Sequence, residues 1–159
     1  KGFARGGREE REWIDLNEIL ARVLRVARPQ IQYGVSVEER FAEIPKVLGA
    51  ASPLQQVFLN LVLNSNQAIQ GRGRIAIETR AVESAVLVSV EDDGCGIPEE
   101  DLARIFDPFF STKPVGKGTG LGLAISFQIL ESHQAKISVE SEVGRGSTFR
   151  VRFPAPPEG

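Results

Sequence analysis

The sequence predicts an α+β fold: a two-layer sandwich with one mostly antiparallel, mixed sheet and its helices on a single face. Three observations carry that expectation. Leu16, Ile19, Leu20, Val23 and Leu24 recur at helical spacing. The apolar stretch 52–70 is too long for a strand and opens on Ser52-Pro53. Residues 74–80 and 85–92 alternate like strands and lie close enough to form a hairpin, and two more strand-like segments follow at 136–141 and 147–153. With 159 residues, 42% hydrophobic and 25% charged, the chain suits one soluble domain with an ordinary core.

Asp15 predicts a helix cap, with the helix running to about Ala27. Val35 to Phe41 reads as a strand, followed by a short extended piece around Val47. Ser52 is expected to cap the second helix and Pro53 to sit in its first turn, with an end near Gln70 before Gly71-Arg72-Gly73. Pro98 starts a short helix that Asp107-Pro108 should end. Phe109 to Gly118 reads as loop, and a last helix is expected from about Thr119 to Ser132. Pro154, Pro156 and Pro157 close the fold.

The totals exclude several functions. A net charge of −2 supplies no basic field for nucleic acid or an anionic membrane. The single Cys95 rules out an internal disulfide and a cysteine cluster for zinc. No apolar run reaches the ~18 residues of a membrane span, and no secretory signal is visible. His133 has no visible metal-binding partner and is expected to be structural or exposed rather than catalytic.

The chemistry starts at Asp92. Val86, Val88 and Val90 share one face of their strand, and Asp92 is next on it. Period-2 geometry aims its carboxylate toward the core, where an unpartnered charge is costly. A water, a backbone amide or a ligand bearing N–H donors must meet it there; an adenine amino group is the sharpest reading. Gly94 and Gly96 follow, allowing a sharp turn and close backbone approach to a flat ligand. Cys95 reads as a bystander, because nothing suggests an activating base.

On the second helix Gln56, Asn60, Asn64 and Gln67 fall on one face at spacings of four, four and three. Amides keep donors and acceptors without charge, which suits a face meeting phosphates and a metal. A lone buried asparagine is more often a satisfied core amide; an aligned set is not so easily explained. Farther on, Phe106, Phe109 and Phe110 stand beside a glycine-rich stretch. That pattern suggests a lid held by apolar anchors and hinged between them. Gly118, Gly120 and Gly122 lead into a helix whose free amides suit a phosphate, with Lys113 and Lys117 available to neutralise charge. The spacing is not Gly-x-Gly-x-x-Gly, and no Gly-Lys-Ser/Thr ending marks a P-loop.

In this order the motifs resemble the ATP-binding catalytic domain of two-component sensor histidine kinases, from the superfamily that includes gyrase, heat-shock chaperone and mismatch-repair ATPases. Asn60-Leu-Val-Leu-Asn64 resembles the N box and Asp92-Asp-Gly-Cys-Gly96 the first glycine box. Phe106-Asp-Pro-Phe-Phe110 resembles the F box and Gly118-Thr-Gly-Leu-Gly-Leu123 the second glycine box. Asn-Gln-Ala after the N box and Pro-Phe-Phe-Ser-Thr-Lys resemble the nitrogen-regulation type.

The resemblance implies a Bergerat-type fold that binds ATP with Mg2+. Asn64 would ligate the metal, with Asn60 helping to hold metal and phosphates. Asp92 would recognise adenine, with Gly94 and Gly96 shaping the pocket, and Gln67, Ile97 and Phe106 would also contact the nucleotide. Gly118, Thr119, Gly120, Leu121 and Gly122 would form the lid hinge and phosphate end. Ser111 stands where many such kinases carry arginine, leaving Lys113 as the catalytic replacement. His133-Gln134-Ala135 replaces the usual His-Gly-Gly, and Gln134 and Ala135 take a left-handed backbone less readily than glycine, which leaves the form of that turn open; Asn64-Ser65 replaces Asn-Ala.

By the same resemblance, residues 1–11 link to an upstream dimerisation domain carrying the phospho-accepting histidine; 12–154 form the catalytic domain and 155–159 a tail. The implied partners are that domain and a response-regulator receiver, in a homodimeric parent protein whose isolated fragment is monomeric. The implied place is the cytoplasm, as a soluble protein or the inner part of a membrane sensor. An ATP hydrolase of the same superfamily and a non-catalytic nucleotide sensor remain as alternatives.

Overall fold

A computed structural model of the chain describes residues 10–110 and 122–155. Helix α1 (Leu16–Ala27) starts where its sequence says it should: Asp15 Oδ1 accepts the Asn17 amide at 2.9 Å. Its apolar stripe, Leu16, Ile19, Leu20, Val23 and Leu24, is buried throughout. Strand β1 (Glu12–Ile14) precedes it and pairs antiparallel with β3 (Val47–Gly49). Three-residue strands carry too little alternation to be read from sequence, and β1 was not foreseen.

The main sheet has five strands, in the order β2 (Val35–Phe41), β4 (Gly73–Val82), β5 (Ala85–Asp92), β7 (Gly146–Pro154) and β6 (Lys136–Glu142). Only β2 and β4 run parallel, joined by the crossover through β3 and α2 (Ala51–Ala68); the other pairs are antiparallel. The expected mixed, mostly antiparallel sandwich is therefore present. Helix α2 touches α1, α4 (Gly122–Ser132) and strands β4, β5 and β7, so it is the centre of the core layer. Phe58 on α2 meets Phe153 of β7, ring centroids 6.2 Å apart.

Helix α2 departs from expectation at both ends. Its N-cap is Ala50, without a side-chain bond, rather than Ser52. The chain leaves β3 directly into the helix, and the Ala50 amide is taken up by His133 Nε2 at 3.0 Å. Pro53 still falls in the first turn, where its missing N–H costs nothing. The helix stops at Ala68 because Ile69 turns extended and buries its side chain. The helix after Pro98 is also shorter than expected: α3 covers Glu99–Leu102, and a staircase of turns continues to Phe110.

His133 ties the end of α4 to the start of α2. Its Nδ1 donates to the Ile129 carbonyl at 2.8 Å, which leaves Nε2 as the acceptor for Ala50. Next to it, Ala135 N bonds Leu130 O and Gln134 N bonds Glu131 O, a Schellman ending with Gln134 at φ 56°. The turn thus keeps the left-handed form that the missing glycines had put in question.

Two outcomes follow for this turn. Left-handed backbone costs a non-glycine residue about 1–2 kcal/mol, of which glycine returns roughly half in chain entropy. Gln134→Gly should therefore raise stability by about 0.5–1 kcal/mol in a urea titration, since the side chain given up is exposed. Burial holds the His133 pKa below its ordinary 6.5. The unfolded chain then binds the proton more readily, so stability is complete above about pH 6.5 and falls as acid charges the ring. Thermal melts from pH 7.5 to 5 should show that loss, and His133→Gln should flatten it.

Candidate functional site

Asp92 ends β5 on the face that carries Val86, Val88 and Val90, and only 5% of it is exposed. The inward carboxylate expected from the alternation is present. Oδ1 accepts the Gly94 amide at 2.9 Å. Burial pushes the Asp92 pKa up, while the amides of Gly94 and Ser147 and the nearby Ser65 hydroxyl oppose that rise. Asp93 points the other way, its Oδ1 accepting the Arg74 amide at 2.8 Å, and it is exposed. Adjacent carboxylates are thus split between core and surface by strand pleating alone.

The glycines after Asp92 serve the protein's own packing first. A Cβ on Gly94 would stand 2.5 Å from the Ala68 carbonyl oxygen at the end of α2. Gly96 sits at φ +80° and would drive a Cβ into the Glu142 carbonyl. The same turn is pinned by Cys95 N to Ala68 O and by Gly144 N to Cys95 O, both 2.9 Å. Ile97 N donates to Ser141 Oγ at 2.6 Å. The glycine box therefore bolts the β5 end to α2 and to the β6–β7 turn, which fixes the carboxylate's position.

On α2 the polar line lies on the less buried side: Gln56 and Gln67 are exposed, Asn60 and Asn64 half-buried. Asn60 Nδ2 donates to Ser126 Oγ of α4 at 3.3 Å. Gly122 packs directly over this amide, where a Cβ would come within 2.7 Å of Asn60 Nδ2. The second glycine box and the N box are in contact at that point. Of the aromatics, Phe106 stacks on Phe127 of α4 at 5.4 Å, and Phe110 lies under the Arg104 guanidinium at 4.6 Å. Phe109 is 75% exposed at φ 68°, so it does not act as an anchor here. Lys113, Lys117, Gly118, Thr119, Gly120 and Leu121 lie outside the described residues.

Three serines were missed by sequence reading. Ser65, one residue after Asn64, is 2% exposed, and its Oγ has no hydrogen-bond partner among the described residues. Its hydroxyl stands near Asp92 without reaching bonding geometry. Ser147 lies opposite Asp92 in the β5–β7 register, and Ser141 Oγ bonds Ser147 Oγ at 2.7 Å. The sequence signals for Ser65 were a serine among apolar helix positions and its place where the family usually has alanine.

A buried carboxylate near an orphaned hydroxyl, with an amide line on the adjoining helix, offers hydrogen-bond donors and acceptors to a polar ligand. The family described as histidine kinase-, DNA gyrase B- and HSP90-like ATPases matches residues 49–157, and the chain belongs to it. Sporulation kinase C of Bacillus subtilis is 39% identical over 142 residues, which is 87% of this chain and 33% of that protein. The nucleotide-free catalytic domain of histidine kinase ThkA superposes with a TM-score of 0.81 at 33% identity, covering 91% of this chain and 95% of the other. Full-length ShkA in complex with AMPPNP gives 0.83 at 26% identity, over 98% of this chain and 35% of that one. The chain spans less than half the length of the curated relatives it matches. Its fold is that of the histidine kinase catalytic domain.

The raised Asp92 pKa has a stability consequence. The folded state holds the proton more tightly than the unfolded chain, so stability falls as pH rises past the ordinary carboxylate value of 3.8. Asp92→Asn keeps an acceptor for Gly94 and removes the buried charge. The nucleotide-free variant should be more stable than wild type at pH 7 by roughly 0.5–2 kcal/mol, the usual scale when functional strain is relieved. Calorimetry at pH 7 and at pH 3 should find the gain at the higher pH only.

Proposed function

We propose that this chain is the catalytic module of a sensor histidine kinase, holding Mg-ATP and delivering the γ-phosphoryl to a histidine on an upstream dimerisation domain, which then passes it to a receiver aspartate. The observation that carries the reading is the buried Asp92 carboxylate, costly to the empty fold and matched to the exocyclic amine of adenine. His133, the chain's one histidine, has both ring nitrogens committed to Ile129 and Ala50, so the nucleophile must come from elsewhere. Residues 1–11 serve as the link to that domain, whose helices supply the dimer of the parent protein; the module alone is a monomer. Its place is the cytoplasm, where ATP is available, and the nitrogen-regulation type fits the Pro-Phe-Phe-Ser-Thr-Lys run ending at Lys113.

The residues present fit magnesium. Among the described residues no cluster of three or more acidic, histidine or cysteine side chains could hold an ion. A hard cation that keeps waters and phosphate oxygens needs little more than the Asn64 side-chain oxygen, with Asn60 beside it. Bound there, it would neutralise charge on the phosphates. By the family resemblance, Lys113 and Lys117 would supply positive charge for the phosphates, and Gly118, Thr119, Gly120, Leu121 and Gly122 would form the hinge and phosphate end of a lid. Gln67, Ile97 and Phe106 border the base and its rim. The hydrolase alternative lacks a base: Asn60 is an amide bonded to Ser126 and takes no proton at neutral pH.

Calorimetric titration with Mg-ATP should give saturable binding that Asp92→Asn loses by at least tenfold. The full-length protein given labelled Mg-ATP should label a histidine upstream of Lys1, while the isolated chain hydrolyses ATP only slowly. Labelling nowhere upstream, or rapid turnover by this chain alone, would overturn the reading.

A further inference from the structure

Ser65 is the one buried polar side-chain group in the described structure with no hydrogen-bond partner. It lies on the sheet-facing side of α2, 2% exposed, beside Asp92, which is itself 5% exposed. Leaving a buried hydroxyl unpaired costs about 1–3 kcal/mol, and nothing in the packing requires it: alanine fills the same space without the penalty. An orphan of this kind, next to a carboxylate already placed for ligand recognition, calls for a partner that arrives with the ligand.

We infer that Ser65 is a further specificity-determining residue of the nucleotide site, its hydroxyl joining Asp92 in recognising the exocyclic amino group of adenine. This rests on the adenine-pocket reading given above. The amino group has two hydrogens, one more than a single contact to Asp92 uses. Asp92 Oδ1 already accepts from Gly94. The Ser65 hydroxyl is the nearby group that both accepts and donates. Its oxygen accepts from the amine, directly or through one water, while its hydrogen turns to the carboxylate. The hydroxyl then bonds the carboxylate in full geometry rather than only standing near it, and the orphaned Ser65 oxygen is paired. A 6-oxo purine reverses the pattern, placing an acceptor against the carboxylate, and is rejected.

The test is a cycle between protein and ligand. Wild type, Ser65→Ala and Asp92→Asn are titrated calorimetrically with Mg-ATP and with the Mg complex of purine riboside triphosphate, which lacks the amino group. Circular dichroism and thermal melts confirm that Ser65→Ala is folded. ATP affinity is expected to fall about tenfold in Ser65→Ala, while affinity for the purine analogue stays within twofold of wild type. Equal losses for both ligands would make Ser65 merely structural, and no loss for either would remove it from the site; both outcomes overturn the inference. Those results leave the adenine pocket standing if Asp92→Asn still loses ATP. Wild type that binds neither nucleotide, or an Asp92→Asn variant that keeps ATP, overturns the pocket and the inference together.

Discussion

The site depends on holding a carboxylate in the apolar layer at the end of β5. Strand periodicity commits Asp92 to that position, because moving it outward by one residue would turn every valine of β5 toward solvent. The fold therefore keeps the charge and surrounds it: the Gly94 amide at Oδ1, Ser147 opposite on β7, and the end of α2 closing over the turn. Burial still raises its pKa, so these contacts compensate only in part. A group held at a cost in the ligand-free fold is one that a hydrogen-bond-donating ligand would relieve, which favours a bound state.

Helix α2 supplies both the core and the site, and its two faces explain how. Leu54, Val57, Phe58, Leu61 and Val62 are fully buried, which fixes the rotation of the helix about its axis. Once that rotation is set, Asn60 and Asn64 fall on the half-exposed side and Ser65 on the buried one. Hydrophobic packing thus sets which way the amide line faces. Gly122 over Asn60, and Ser126 bonded to it, extend the same logic to α4. Gly94, Gly96 and Gly122 act as spacers that let elements approach closely, so the site's geometry is inherited from the sheet and the helix pair.

Much of this was legible in the chain because single elements announce themselves. The stripe of α1 with its Asp15 cap, the alternation of β5 and the aligned amides of α2 each repeat a signal over several residues. What was not legible depends on partners distant in sequence. The β1–β3 pairing joins two three-residue segments. The start of α2 at Ala51 is set partly by a histidine 83 residues away. The Ser141–Ser147 pair and the Ser65 orphan are ordinary serines until the sheet and α2 bring them to Asp92. Phe109 shows the opposite error: its apolar side chain suggested an anchor, but the turn staircase leaves it outside.

The chemistry the site can perform is narrowed as much by Asn60 as by Asp92. A carboxylate one turn before Asn64 would place a base near the phosphates and open the way to water attack. An amide there contributes hydrogen bonding without proton affinity, and Ser126 holds it in place. His133 is committed to joining α2 and α4, so its ring nitrogens are not available at the Asp92 site. On the proposed reading, such a site would bind and orient its nucleotide while another domain completes the reaction. That incompleteness suits a signalling module, since transfer then depends on how a second domain is presented to the phosphate rather than on the pocket alone.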